Sequence, residues 1–113
     1  MKSYEESIIE LALCTNSAMD YADKAKVRRH NKAMTKIFSL ANELKEDIPQ
    51  ATAVYLKLMP HSEEKVRLIV AGLSLQTHIC KEEARNTLEV ISATSKDVLI
   101  VRSAKRMLDT YLE

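Results

Sequence analysis

The sequence predicts an all-α protein of about six helices paired as three antiparallel αα-hairpins. Three observations carry that prediction. The 113 residues include one Gly, two Pro and no Trp, and a β-rich chain of this size needs many more turn formers. Apolar residues recur at three- and four-residue spacing through most of the chain. The polar breaks between these runs are two to five residues long, the usual distance between antiparallel helix neighbours.

The first helix is placed at about 4–25, with Ile8, Leu11, Ala12, Ala18, Met19 and Ala22 on one face. Ile9 and Leu13 fall i,i+4 on another face. Either this helix is buried on two sides or the pair is exposed for a partner. The second helix is placed at about 28–46, with the stripe Met34, Ile37, Phe38, Ala41 and Leu44. Asp47-Ile48-Pro49 ends it, because a residue before Pro avoids the helical region. Pro49 is suited to open the third helix, about 50–58, where Ala53, Val54, Leu56 and Leu58 are apolar.

Pro60 stops that helix. Ser62 is the expected N-cap of the fourth, about 63–77, with Glu63 and Glu64 complementing its dipole. Its stripe is Val66, Ile69, Val70 and Leu73. Gly72 lies inside it, at a cost of about 1 kcal/mol relative to Ala, and next to Ala71 it suits close approach of a neighbouring helix. The fifth helix spans about 81–93 (Ala84, Leu88, Val90, Ile91). The sixth starts at Asp97 and carries Ile100, Val101, Ala104, Met107, Leu108 and Tyr111.

An internal repeat organises these elements. Val66-Arg67 returns as Val101-Arg102, an offset of 35, and at the same offset Thr52 matches Thr87, Leu56 matches Ile91 and Leu73 matches Leu108. Helix pairs repeating at 35–45 residues are the mark of an α-solenoid. One domain is expected over 1–113, with 1–48 a divergent capping hairpin and 49–78 and 79–113 the repeat-like hairpins.

The segment Pro60-His61-Ser62-Glu63-Glu64-Lys65-Val66-Arg67-Leu68-Ile69-Val70-Ala71 resembles the turn and second helix of a HEAT repeat. The resemblance implies a right-handed HEAT-like α-solenoid in which Arg67 reaches Glu63 or Glu64, and Arg102 reaches Asp97. Most of the chain also resembles a family of short bacterial HEAT-like proteins of unknown function. That likeness is carried by Arg29-His30-Asn31-Lys32 leading to Glu43-Leu44-Lys45, and by Leu56-x-x-Met59-Pro60-His61 leading to Val66-Arg67. His30 departs from it, standing where a large apolar residue is expected. Such proteins resemble the immunity proteins of bacterial toxin systems in size and simplicity.

Chemistry-bearing patterns are sparse. A single Gly excludes a Gly-rich phosphate loop. No Ser, Cys or Thr stands in a recognisable set with a base and an acid, so no catalytic residue is assigned and the chain is read as non-enzymatic. An enzymatic reading needs a concave site at His30, His61, His78 or the cysteines. His78-x-Cys80 with Glu82 and Glu83 falls short of the four spaced ligands of a structural zinc, so no metal or cofactor is expected. Cys14 and Cys80, 66 positions apart, read as reduced thiols. The acidic N-terminal stretch lacks the pattern of a signal peptide, no stretch is long and apolar enough to span a bilayer, and a cytoplasmic location is expected.

Seventeen Lys+Arg against sixteen Asp+Glu give a net charge of +1, no general field for nucleic acid. The total conceals a basic run, 24–36, without an acid. In it Arg28, Lys32 and Lys36 are spaced i,i+4, with Arg29 beside them. This stripe is open to three readings: a phosphate-backbone contact, an acidic protein partner, or a solvated face. No aromatic residue is interleaved to stack on bases. The expected function is therefore protein binding, most concretely by a cytoplasmic immunity protein that binds and neutralises a toxin domain, through Arg28, Arg29, Lys32, Lys36, Ile9 and Leu13. The alternative is a helical-repeat protein that binds nucleic acid through the basic stripe. No membrane association is expected, and the chain is read as a monomer or weak dimer.

Overall fold

The computed structural model describes residues 2–15 and 23–111. They form six helices: α1 (Tyr4–Leu13), α2 (Lys24–Leu44), α3 (Ile48–Leu58), α4 (Glu64–Thr77), α5 (Lys81–Thr94) and α6 (Val98–Tyr111). No strand occurs among the described residues. The Cα radius of gyration is 13.4 Å, against about 13 Å for a compact domain of this length. No helix is long and apolar enough to cross a membrane.

Side-chain caps set most helix starts. The Ser3 hydroxyl accepts from the Glu6 amide at the head of α1, and Asp23 accepts from the Ala25 and Lys26 amides at the head of α2. Asp47 does the same for Gln50, which makes Ile48 the first residue of α3 and Pro49 the second. Pro is tolerated there because its missing N–H has no intrahelical partner in the first turn. Asp97 accepts from Leu99 and Ile100 at the head of α6.

Three boundaries differ from the sequence reading. The first helix does not run to residue 25 but ends at Leu13. The Cys14 amide folds back onto the Leu11 carbonyl, and the Thr15 hydroxyl donates to the Ala12 carbonyl oxygen at 2.7 Å. Lys24 and Ala25 belong to α2, which starts earlier because Asp23 caps it and the run that follows has no breaker. Ala18, Met19 and Ala22 lie outside the described residues. At the head of α4, Glu63 takes the N-cap position in place of Ser62 and makes no side-chain capping bond. Its own amide instead donates to His61 Nδ1 at 3.0 Å.

Helix α4 packs against all five other helices. Val66, Leu68, Val70, Ala71, Gly72, Leu73, Ser74 and Leu75 are all buried, so the four-residue stripe seen in the sequence is one side of a helix buried almost all round, as an all-round apolar helix must be. At Gly72 the Met107 side chain of α6 comes close: a Cβ built there would stand 3.1 Å from both Cε and Sδ of Met107. The packed helix pairs all lie within, or between neighbours of, the sequence units 1–48, 49–78 and 79–113. One buried cluster draws on all six helices, with Tyr55, Ile8, Ile37, Leu44, Leu75 and Leu88 among its largest members.

The repeat positions are not fully equivalent in their surroundings. Ile91 is buried while its counterpart Leu56 is exposed, and Val90 is 60% exposed although it was counted on the apolar stripe of α5. Arg67 also differs from expectation. Its Nη1 donates to the carbonyl oxygens of His61 at 2.8 Å and Ser62 at 3.2 Å, while the Glu64 carboxylate stands further off, at 3.8 Å from Nη2. Arg102 is exposed and forms none of the ion pairs among the described residues, which are Lys2–Glu10, Arg67–Glu64 and Arg85–Glu89. Asp97 is used as a cap instead.

Two non-glycine residues, His78 (φ 60°) and Cys80 (φ 57°), hold left-handed backbone. They form the tight link between α4 and α5. The Ile79 amide donates to the Ser74 carbonyl oxygen at 3.0 Å and so closes the end of α4.

Candidate functional site

One concavity lies between α2 and α6, with α4 as its floor. Met34 and Phe38 come from α2, Ile69, Gly72, Leu73 and Gln76 from α4, and Arg106, Met107, Thr110 and Tyr111 from α6, around a cavity of about 320 Å³. A second cavity of about 280 Å³ continues it past Met34, Ile69, Arg106 and Met107 to Thr15, His30, Lys65, Leu68 and Ser103. Sharing these four lining residues, the two cavities lie side by side along α2, α4 and α6, and we call the pair the groove, the first being its apolar end and the second its polar end.

Helix geometry explains why the groove is open. In α2 the buried seam is Ala33, Ile37, Ala41 and Leu44, and Met34 and Phe38 stand on its flank. In α6 the seam is Ile100 and Ala104, with Met107 and Tyr111 on the flank. The two flanks face each other across Gly72 without closing. Phe38 is 41% exposed and Tyr111 36% exposed at the lips. Large apolar residues left accessible in one concave place are unusual on a soluble surface and mark binding sites.

The polar end is basic. Lys65 Nζ donates to the Thr15 carbonyl oxygen at 2.8 Å. Burial lowers the pKa of the His30 imidazole below the usual histidine value, and the nearby Lys65 charge lowers it further. Arg106 borders both cavities and makes no hydrogen bond or ion pair among the described residues. Among the described residues no Asp or Glu lines either cavity.

The residues singled out in the sequence lie elsewhere. Arg28, Lys32 and Lys36 are exposed along one side of α2, about 140° around the helix from Met34 and Phe38 at 100° per residue. Lys36 lines a separate depression between α1 and α2 with Lys2, Ser7, Glu10, Leu11, Ser39 and Leu40. Arg29 points a different way, with its Nη2 3.8 Å from the Cys14 sulfur. Ile9 is half-buried against the core and Leu13 is exposed, so the structure divides this pair. Met34, Phe38, Met107 and Tyr111 were visible in the sequence only as core stripes. Their i,i+4 pairing was the available signal.

The remaining polar residues do not converge. His61 braces the turn before α4, and His78 ends that helix. Burial raises the Cys80 thiol pKa, and the nearby Glu83 carboxylate adds to the shift. Among the described residues no group of three His, Cys, Asp or Glu is placed to hold a metal ion.

No curated protein and no solved structure matches the chain. A family model, a domain of unknown function, matches residues 6–111. Since that match runs from the first turn of α1 to the last residue of α6, the chain belongs to the DUF2019 family.

Proposed function

We propose that this chain is a short, right-handed HEAT-like α-solenoid of three hairpins that acts as a non-enzymatic protein-binding module. Its most concrete form is a cytoplasmic immunity protein that binds and neutralises a cognate bacterial toxin. The observation that carries this reading is the groove. It is lined by α2, α4 and α6, the second helix of each hairpin, as expected of the concave binding face of a stacked helical array. The main helix contacts, which fall within a unit or between adjacent units, support the same architecture. The groove wall is rich in Met, aromatic and Arg side chains, the types enriched at protein interfaces.

The test is co-expression with the product of the adjacent gene. Protection from toxicity, together with recovery of a one-to-one complex, is the expected result. If the neighbour is harmless and pull-downs from the native cell recover nothing, the reading fails.

A second reading rests on the exposed row Arg28, Lys32 and Lys36, which has no ion-pair partner among the described residues. That row suits a phosphate backbone, and binding through it would weaken steeply with salt. Retention on a DNA column at low salt, lost in an Arg28, Lys32 and Lys36 triple glutamine variant, supports it. Passage straight through the column eliminates it.

A further inference from the structure

We propose that the α2–α4–α6 groove receives one amphipathic helix of a partner protein, with its apolar side chains seated over Gly72 and an acidic side chain held by Arg106. This rests on the protein-binding reading and specifies the chemistry of its partner. The groove runs along α2 from His30 to Phe38, about 12 Å at 1.5 Å per residue. That is the length of about two helical turns, enough for apolar anchors at i, i+3, i+4 and i+7 of a docked helix. Above Gly72 the space a side chain would take is filled by the flexible thioether end of Met107, which an incoming anchor would push aside. Met34 and Met107 are flexible and polarisable, able to repack around an anchor.

Charge complementarity selects the partner's sign. Arg106 borders both halves of the groove, Lys65 and His30 lie at its polar end, and among the described residues no carboxylate lines it. Lys65 is committed to the Thr15 carbonyl, whereas Arg106 has neither a hydrogen bond nor an ion pair among the described residues. A carboxylate arriving with the helix would gain a charge-assisted, bidentate contact. A lysine arriving there would meet like charge. A small amphiphile fits less well, because ligand pockets enclose most of their ligand and this groove has exposed aromatic lips.

The experiment uses the full chain and two synthetic amphipathic helical peptides. Both carry Leu at i, i+3, i+4 and i+7, one with flanking Glu and the other with flanking Lys. Fluorescence anisotropy follows binding to the native protein and to the Arg106→Glu and Phe38→Ala variants. Circular dichroism first establishes that each variant is folded. The Glu peptide is expected to bind the native protein, and the Lys peptide at least about tenfold more weakly. Arg106→Glu should reverse that preference, and Phe38→Ala should weaken both peptides. A reversal cannot come from a mere loss of structure. Equal binding of the two peptides, no binding of either, or Glu-peptide binding unchanged in both variants overturns the proposal. So does displacement of the peptide by decanoate at stoichiometric concentration, or self-association of the chain that blocks it. If Arg106→Glu with Phe38→Ala leaves capture of a protective toxin partner intact, the groove assignment fails while the protein-binding reading stands.

Discussion

Arg67 offers a way to separate a capping role from an ion pair. The guanidinium stands beside the Pro60–Ser62 turn, and its shorter bonds run to main-chain oxygens, His61 O at 2.8 Å and Ser62 O at 3.2 Å. The Glu64 carboxylate is 3.8 Å away, and both side chains are 29% exposed. A hydrogen bond from a charged donor contributes about 1.5–3 kcal/mol, and a partly exposed pair at that separation about 0–1 kcal/mol. Arg67→Ala should therefore cost about 2 kcal/mol, with most of the loss from the 2.8 Å bond and from the packed stem. Arg67→Lys keeps one donor and should cost about half as much. Glu64→Gln should cost only about 0.5 kcal/mol, because its amide oxygen can still accept from the Ser95 hydroxyl, now 2.7 Å from Oε1. Urea unfolding followed by circular dichroism measures all three. At about 4 °C per kcal/mol for a chain of this size, the Arg67→Ala melting temperature should fall by roughly 8 °C. Its deficit should persist in high salt, which screens exposed ion pairs. If Glu64→Gln is as damaging as Arg67→Ala, or if salt erases the Arg67→Ala deficit, the capping argument is wrong and the ion pair dominates.

Three further outcomes follow from the fold. His78→Gly should raise stability by about 0.5–1 kcal/mol: left-handed backbone costs a non-glycine residue about 1–2 kcal/mol, while glycine's freer unfolded chain returns about half of that. A destabilised His78→Gly variant, measured by urea midpoint, would show that the imidazole contributes to the fold. The Tyr55 hydroxyl is fully buried and meets no partner within 3.5 Å among the described residues; the Thr77 hydroxyl, which gives its proton to the Leu73 carbonyl oxygen, stands beyond that and can accept from Tyr55 only weakly. Tyr55→Phe should therefore be neutral or stabilising by about 1 kcal/mol, since an unsatisfied buried hydroxyl costs about 1–3 kcal/mol; a clear loss would reveal a partner. His30 titrates below its ordinary value when folded, so below about pH 6.5 the unfolded chain takes up a proton that the folded chain resists. Stability should fall as pH drops from 6.5 toward the folded pKa and then level off. A His30→Gln variant should lose that slope, and an unchanged slope would assign it to other groups.

Much of the helix framework is local and was legible. Asp47-Ile48-Pro49, Pro60 and Asp97 act within one turn of the chain, so α3 to α6 begin and end within two residues of the positions read from sequence. The end of α1 was not legible in the same way. The Thr15 carbonyl that follows it is held by Lys65, 50 residues away, and periodicity alone ran the helix on through residue 25. The target of Arg67 was missed for a related reason. Sequence spacing ranks charged partners, whereas a guanidinium also finds carbonyl oxygens that a turn happens to turn toward it.

The sequence by itself determined that this chain is helical, where most of its helices start, and which residues are apolar enough to be buried. Those properties depend on backbone bonds four residues apart, on caps, and on side-chain type. Only the tertiary structure decided that α4 is enclosed by all five other helices, that Phe38, Met107 and Tyr111 are not sealed in the core, and that a groove lined by no acid among the described residues opens between α2 and α6. Burial belongs to pairs of elements distant in sequence. A stripe on one helix says that it seeks a partner, and the packing of the whole array decides which flank of the stripe is left without one.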